Sequence, residues 1–245
     1  MCFDLDSEPP IPRIAGASVS HDDLTLTAAD RNRLAAFLAT PDEESITGVV
    51  VLPDVRGLYR FYEELALRFA ERGHAAVAID YFGRTAGVAR RDDDFEYGPH
   101  VQKTTPDGLN ADIAAGIAAL RERGATPIFT VGFCFGGRTS WLAAASHHGL
   151  AGAVGFYGDP QALVGLGFVR QIECPILALQ AGADQNITAE VNAAFDEALT
   201  AQRIEHDVVT YDGAPHSFFD RKQEQFLAAS DDAWQRTLEF IARHA

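Results

Sequence analysis

From residue 48 onward, short apolar runs alternate with longer stretches in which apolar residues recur every three or four positions. The runs are Gly48–Leu52, Ala75–Ile79, Pro127–Phe133, Gly152–Tyr157, Pro175–Gln180 and Asp207–Tyr211. Continuous runs of this kind, rich in β-branched residues, mark strands buried on both faces. The stretches between and after them have helical spacing: Tyr59–Arg72, Asn110–Arg123, Gly137–Ser146, Thr188–Ala201 and a closing Lys222–Arg243. Gly73 and Gly124 stand where C-terminal caps belong. Ahead of this pattern, Asp22–Leu26 and Arg33–Ala39 read as two strands of a hairpin, joined by the polar stretch Ala28–Asn32. Residues 1–20 hold Pro9, Pro10 and Pro12 and read as irregular. Residues 82–104 read as a long polar connection of the kind that shapes sites. Strand–helix alternation predicts an α/β fold, a mainly parallel sheet with helices on both faces and an N-terminal antiparallel hairpin. No Gly-, Ser- or Pro-rich linker divides the chain, so a single domain over residues 1–245 is expected.

Composition narrows the class. With 245 residues, 47% of them hydrophobic, the chain has the apolar mass for a large core. Its 20 Lys+Arg against 35 Asp+Glu leave a net charge of −15, which argues against nucleic acid and anionic membranes as partners. An anionic substrate would need a local cation. Cys2, Cys134 and Cys174 form no short-spaced cluster with histidine, so neither zinc nor a disulfide framework is indicated. The acidic N-terminus is unlike a secretory signal, and no run reaches the ~18–20 apolar residues of a membrane span. These features lead to the expectation of a cytoplasmic protein with no cofactor.

In a parallel α/β sheet the ligand site lies beyond the carboxyl ends of the strands. Asp54, Asp80–Arg84, Cys134, Tyr157, Asp184 and His216 all fall there. Gly132-Phe133-Cys134-Phe135-Gly136-Gly137 joins a strand to a helix in the form of a nucleophile elbow, with Cys in place of Ser. So tight a turn needs small neighbours, and the helix that follows aims its N–H groups and positive dipole end at the sulfur, favouring thiolate. The Phe135 N–H points to where a carbonyl oxygen turns negative. A lone cysteine is more often inert core; the flanking glycines argue otherwise here. His216, in Ala214-Pro215-His216-Ser217-Phe218, supplies a base. Asp184, in Gly182-Ala183-Asp184, supplies the acid that holds its tautomer. Cys, Asp, His is the chain order of an α/β-hydrolase triad. Cys174, at the start of a strand, reads as structural, and Cys2 is given no role.

These segments, with Gly155-Phe156-Tyr157-Gly158 and Asp80-Tyr81-Phe82-Gly83-Arg84, resemble the dienelactone hydrolase (carboxymethylenebutenolidase-like) family of α/β-hydrolases over roughly residues 48 to 220. The resemblance implies Cys134, Asp184 and His216 as the triad. It implies Val55 and Phe135 as oxyanion-hole donors, Tyr157 as pocket lining, and Arg84 as the holder of a substrate carboxylate. It also implies a carboxylate acting on the resting thiol, for which Asp54 stands one methylene shorter than the family's glutamate. A second carboxylate-binding arginine, expected four residues after the histidine, is replaced by Asp220, and Arg56 is the candidate to take its place.

The expected activity is hydrolysis of a small-molecule ester or lactone through an acyl-thioester. The alternatives are a carboxylesterase or thioesterase for uncharged substrates, or a non-catalytic small-molecule-binding protein on the same scaffold.

Overall fold

The computed structural model describes residues 6–43, 47–92 and 94–245; Cys2 and the other four residues at the N-terminus lie outside the described residues. The chain divides into two compact units. One comprises Pro12–Ile128, and the other Phe129–Ala245 together with Ser7–Ile11.

The first unit opens with β1 (Val19–Thr27) and β2 (Arg33–Pro41), an antiparallel hairpin in which Leu24 pairs with Ala36. The polar residues between them close the turn, Ala28 N–H donating to the Asn32 carbonyl at 2.8 Å. Both strands run longer than the sequence pattern indicates. Next come β3 (Thr47–Leu52), α1 (Arg60–Ala70) and β4 (His74–Ile79). The strand order is β1-β2-β4-β3, with β3 parallel to β4 and β2 antiparallel to it. The polar connection 82–104 contains two single-turn helices, α2 (Gly83–Ala86) and α3 (Gly98–Val101). Helix α4 (Pro106–Arg121) starts four residues before the expected Asn110. The Thr105 hydroxyl accepts the Gly108 N–H at 3.1 Å, and Pro106 occupies the first helical position, where its missing N–H costs nothing. Every residue of β3 is buried, as a continuous apolar run requires.

The second unit is a parallel sheet in chain order: β5 (Ile128–Phe133), β6 (Gly152–Phe156), β7 (Ile176–Ala181) and β8 (His206–Tyr211). Helices α5 (Phe135–Ala144), α6 (Gln161–Gly165), α7 (Ala189–Ala201) and α8 (Leu227–His244) accompany it. Trp141 of α5 is fully buried, its ring 4.9 Å from that of Phe195 of α7. A Cβ on Gly155 would come within 2.5 Å of that indole, so β6 needs glycine there. Helix α8 begins at Leu227, not Lys222. Hydrogen bonds from Gln223 N–H to the Asp220 carbonyl and from Phe226 N–H to the Gln223 carbonyl turn the chain first. The segment Ser7–Ile11 is irregular but built in. The Ser7 hydroxyl donates to the Asp220 carboxylate at 2.6 Å, Arg221 N–H donates to the Glu8 carbonyl at 3.0 Å, and Ile11 is buried.

Together the units hold eight strands, mixed but mainly parallel, of the expected α/β class with the expected N-terminal hairpin. Among the described residues, no helix is long and apolar enough to cross a membrane.

Candidate active site

Each strand of the second unit ends at a residue the sequence singled out. Cys134 follows β5 directly and sits at φ +54°, ψ −111°, a conformation sparsely populated by L-residues. Two hydrogen bonds lock it: its N–H donates to the Phe156 carbonyl of β6, and its carbonyl accepts the Arg138 N–H of α5. A Cβ on Gly132 would fall 1.9 Å from the Gly136 carbonyl oxygen, and one on Gly137 would fall 2.7 Å from the Phe156 carbonyl oxygen. The glycines are therefore what let strand, sulfur and helix close to one sharp corner. The sulfur stands at the N-terminal end of α5, where the first N–H groups have no partner within the helix.

His216 lies in the loop after β8 and Asp184 in the loop after β7. The two loops are joined by hydrogen bonds from Gly182 N–H to the Tyr211 carbonyl and from Ala183 N–H to the Ala214 carbonyl, each 2.9 Å. His216 Nδ1 is 2.5 Å from Asp184 Oδ2. The other Asp184 oxygen accepts the N–H groups of Asn186 at 2.9 Å and Ile187 at 3.2 Å. The carboxylate is thus fixed by three donors and in turn fixes the ring. With Nδ1 engaged, Nε2 is the nitrogen that hydrogen-bonds Cys134.

The electrostatics follow from this chain of three. Burial of His216 disfavours its imidazolium, but the hydrogen bonds and charges of Cys134 and then of Asp184 outweigh that penalty, and its pKa rises above 6.5. Asp184 is pushed up by burial, yet the His216 bond and the Asn186 and Ile187 N–H groups hold it below the usual aspartate value.

Tyr157 follows β6 at φ +37°, fully buried, with its ring 4.9 Å from the His216 ring. Ser217, after the histidine, also has positive φ, at +63°. Phe218 and Phe219 anchor the histidine loop in the core. Phe219 packs 4.9 Å from Phe156, Phe218 packs 5.0 Å from Tyr211, and the Ser230 hydroxyl of α8 donates to the Phe218 carbonyl. Three strained non-glycine residues around one imidazole are a hallmark of a site under functional constraint.

The remaining expected residues belong to the first unit. Asp54, Val55 and Arg56 form the turn after β3. Asp54 is buried, and its carboxylate accepts the Arg56 N–H at 2.9 Å and the Tyr59 hydroxyl at 3.4 Å. Val55 and Arg56 are half-buried. Arg84 pairs with Asp30 and, at 2.8 Å, with the buried Asp112, and also donates to the Gly108 carbonyl. Its charge is already met by two resident carboxylates. Desolvation dominates at Asp112 and pushes its pKa up to about 6 despite hydrogen bonds from Asn32 and Arg84. Cys174 is buried, and burial first, then Glu173, pushes its thiol up to about 12, consistent with an inert core residue.

The sequence pattern missed two features. Arg91 forms a buried two-point ion pair with Asp80 at the end of β4, at 3.1 and 2.7 Å, organising the turns around it; nothing in the polar run 82–104 sets this arginine apart. Arg138 lies one helical turn after Cys134, its guanidinium carbon 4.8 Å from the Phe135 ring centroid. A basic residue immediately after the Gly-Gly of the elbow was the available signal.

Comparison with known proteins bears on the family and the fold. The model of the dienelactone hydrolase family matches residues 34–245. A carboxymethylenebutenolidase from Rhodococcus opacus is 28% identical over 100% of this chain and 97% of its own length. Among solved structures, a dienelactone hydrolase candidate from Klebsiella pneumoniae superposes with a TM-score of 0.80 at 22% identity, covering 92% of this chain and 99% of that one. A dienelactone hydrolase-like promiscuous phosphotriesterase, P91, from metagenomic libraries gives 0.81 at 22%, covering 94% and 99%. These likenesses identify an α/β-hydrolase fold.

Proposed function

Because the chain belongs to the dienelactone hydrolase family, we propose that it hydrolyses small carboxylic esters or lactones with Cys134 as nucleophile, His216 as proton carrier and Asp184 as the orienting acid. The observation that carries this reading is the unbroken relay from Asp184 through His216 to a cysteine held at positive φ on a helix N-terminus.

The Cys134 thiolate attacks the acyl carbon, forming a C–S bond while the carbonyl π electrons move to oxygen. The Phe135 N–H donates to that oxyanion; one such donor is worth about 2.7–4 kcal/mol in comparable sites. When the tetrahedral species collapses, the C–O bond to the alcohol breaks and the departing oxygen takes the His216 proton. Water then attacks the thioester. His216 accepts its proton, the acid is released, and the thiolate returns. Asp184 keeps Nδ1 protonated throughout, so that Nε2 alone exchanges protons.

Cys134→Ala should reduce turnover of p-nitrophenyl acetate by at least about a thousandfold, in keeping with removal of a nucleophile from a triad, while still unfolding in one cooperative transition. Mass spectrometry of the wild type stopped in acid should find the acetyl group on the peptide bearing Cys134. Undiminished activity in the variant, or acylation elsewhere, would refute the proposal.

A second reading, an esterase for uncharged substrates, is favoured by one feature. Asp220, at the position of the family's second arginine, is bonded to Ser7 and offers no positive charge.

A further inference from the structure

One face of β7 packs into the apolar cluster of α5 and α7, where Ile176 and Ala178 join Trp141, Phe195 and Leu199. Side chains alternate along a strand, so position 180 faces the same layer. It carries an amide there. Gln180 is fully buried, its Nε2 donates to the Gly158 carbonyl at 3.0 Å, and its Oε1 has no hydrogen-bond partner among the described residues. The reverse orientation of the amide would set its oxygen against that carbonyl, so the donor is fixed. A buried acceptor left unpaired costs stability, a cost that an apolar residue of the same shape avoids. Packing therefore does not account for a glutamine here; the bond to Gly158 does.

Gly158 follows Tyr157, a non-glycine residue at φ +37°, a conformation that persists only where the surroundings enforce it. Two neighbouring residues of β7 grip the chain around it. The Tyr157 N–H donates to the Leu179 carbonyl at 2.8 Å, and the next residue, Gln180, takes the Gly158 carbonyl. The same stretch is pressed against the first turn of α5. A Cβ on Gly158 would lie 2.7 Å from the Arg138 backbone nitrogen and 2.8 Å from the Gly137 carbonyl carbon. The Tyr157 ring in turn stands 4.9 Å from the His216 ring and 5.7 Å from that of Phe218. Releasing the Gly158 carbonyl frees Tyr157 to relax toward negative φ, which carries its ring off the imidazole.

We propose that Gln180 is a positioning residue: by holding the Gly158 carbonyl it keeps Tyr157 in its strained turn, with the phenol ring packed on His216. The consequence for turnover rests on the hydrolase reading above; the packing itself does not.

The test replaces Gln180 by Met, similar in length and without the donor. The carbon-bound protons of His216, followed by NMR with the imidazole fully protonated in every variant, report the neighbouring ring directly. Tyr157→Leu defines their shifts without that ring. Gln180→Met should move them at least half of the way from the wild-type values toward those of Tyr157→Leu. Leu199→Ala, a truncation of a fully buried residue in the same layer, costs stability but should leave them unmoved. With p-nitrophenyl acetate, kcat should fall about tenfold or more in Gln180→Met, the order expected when a catalytic group is misplaced, with KM within about twofold. Should Gln180→Met not fold, Gln180→Asn, whose amide ends one methylene short of the carbonyl, takes its place with the same readouts. In the wild type itself, the Gln180 side-chain amide protons should exchange with water far more slowly than those of a free amide, and exchange at the free rate overturns the proposal. His216 shifts that stay at their wild-type values, or that Leu199→Ala moves as far, also overturn it, as does an unchanged kcat. If the wild type does not turn over the ester, the hydrolase reading fails, and the His216 shifts then judge Gln180 on their own.

Discussion

At Cys134 and His216 two opposed effects act on the same proton. Burial favours a neutral imidazole, and the two acidic neighbours favour imidazolium; the neighbours win. The balance favours the protonated ring beside Cys134 over the neutral one. A histidine whose folded pKa is raised contributes stability that is complete below about 6.5 and is lost as pH rises through the folded value. Carbon-bound proton shifts in NMR should place the His216 midpoint above 6.5 in the wild type. Asp184→Asn and Cys134→Ala should each lower it, because desolvation stays while a raising partner is removed. A wild-type midpoint at or below 6.5, or no change in Asp184→Asn, would contradict the assigned balance. This part of the site was legible from sequence because the elbow motif and the chain order of three strand-end residues are local signals. The partners of Arg84 and Asp220 were not legible. Asp30 lies 54 positions from Arg84 and Ser7 lies 213 from Asp220, so no periodicity or spacing joins them. A positive residue at a strand end looks free in a sequence until its counter-charges have been placed.

Among elements, the strand–elbow–helix unit β5–α5 sets the tolerance of the whole site. The strand must deliver Cys134 and the helix must start at once, at Phe135, two residues before the periodicity alone placed it. That offset has a physical cause: the apolar repeat registers only where the helix packs, whereas its first turn is spent on the turn and on presenting N–H groups. The late start of α8 and the early start of α4 have similar origins, since turns and caps fix helix ends while packing fixes helix middles. The cost of disturbing the elbow is predictable from distance. In Gly132→Ala the new methyl would lie 1.9 Å from the Gly136 carbonyl oxygen, a backbone atom with no rotamer to relieve the overlap. The substitution should destabilise by about 4 kcal/mol or more, at the far end of the range for point mutations, measured by denaturant unfolding. Activity should fall with it, because any relief moves Cys134 or Phe135. A loss below about 1 kcal/mol, inside the range of ordinary surface changes and mild substitutions, would show that the corner is looser than its geometry implies.

For the whole molecule, the question is what a charge of −15 does to the folded state. Two contributions respond to salt in opposite directions. Exposed ion pairs such as Arg13–Glu64, Arg90–Asp23 and Arg236–Asp232 weaken as salt rises, but each contributes only about 0–1 kcal/mol. The buried Asp80–Arg91 pair is shielded from added ions and barely responds. Against these stands the mutual repulsion of 15 uncompensated negative charges, which opposes the compact state and is relieved as the Debye length falls from about 30 Å at 0.01 M to about 3 Å at 1 M. The surplus acts over longer distances than the pairs, so repulsion should dominate. The thermal midpoint should rise by a few degrees between 0.02 and 0.5 M sodium chloride, followed by circular dichroism at pH 7.5. Repeating the scan near the isoelectric point of about 4.8 should abolish the gain or reverse it, because the net charge is then zero and only the attractive pairs remain to be screened. A midpoint that falls with salt at pH 7.5 would mean that the surface pairs, and not the surplus, govern the balance.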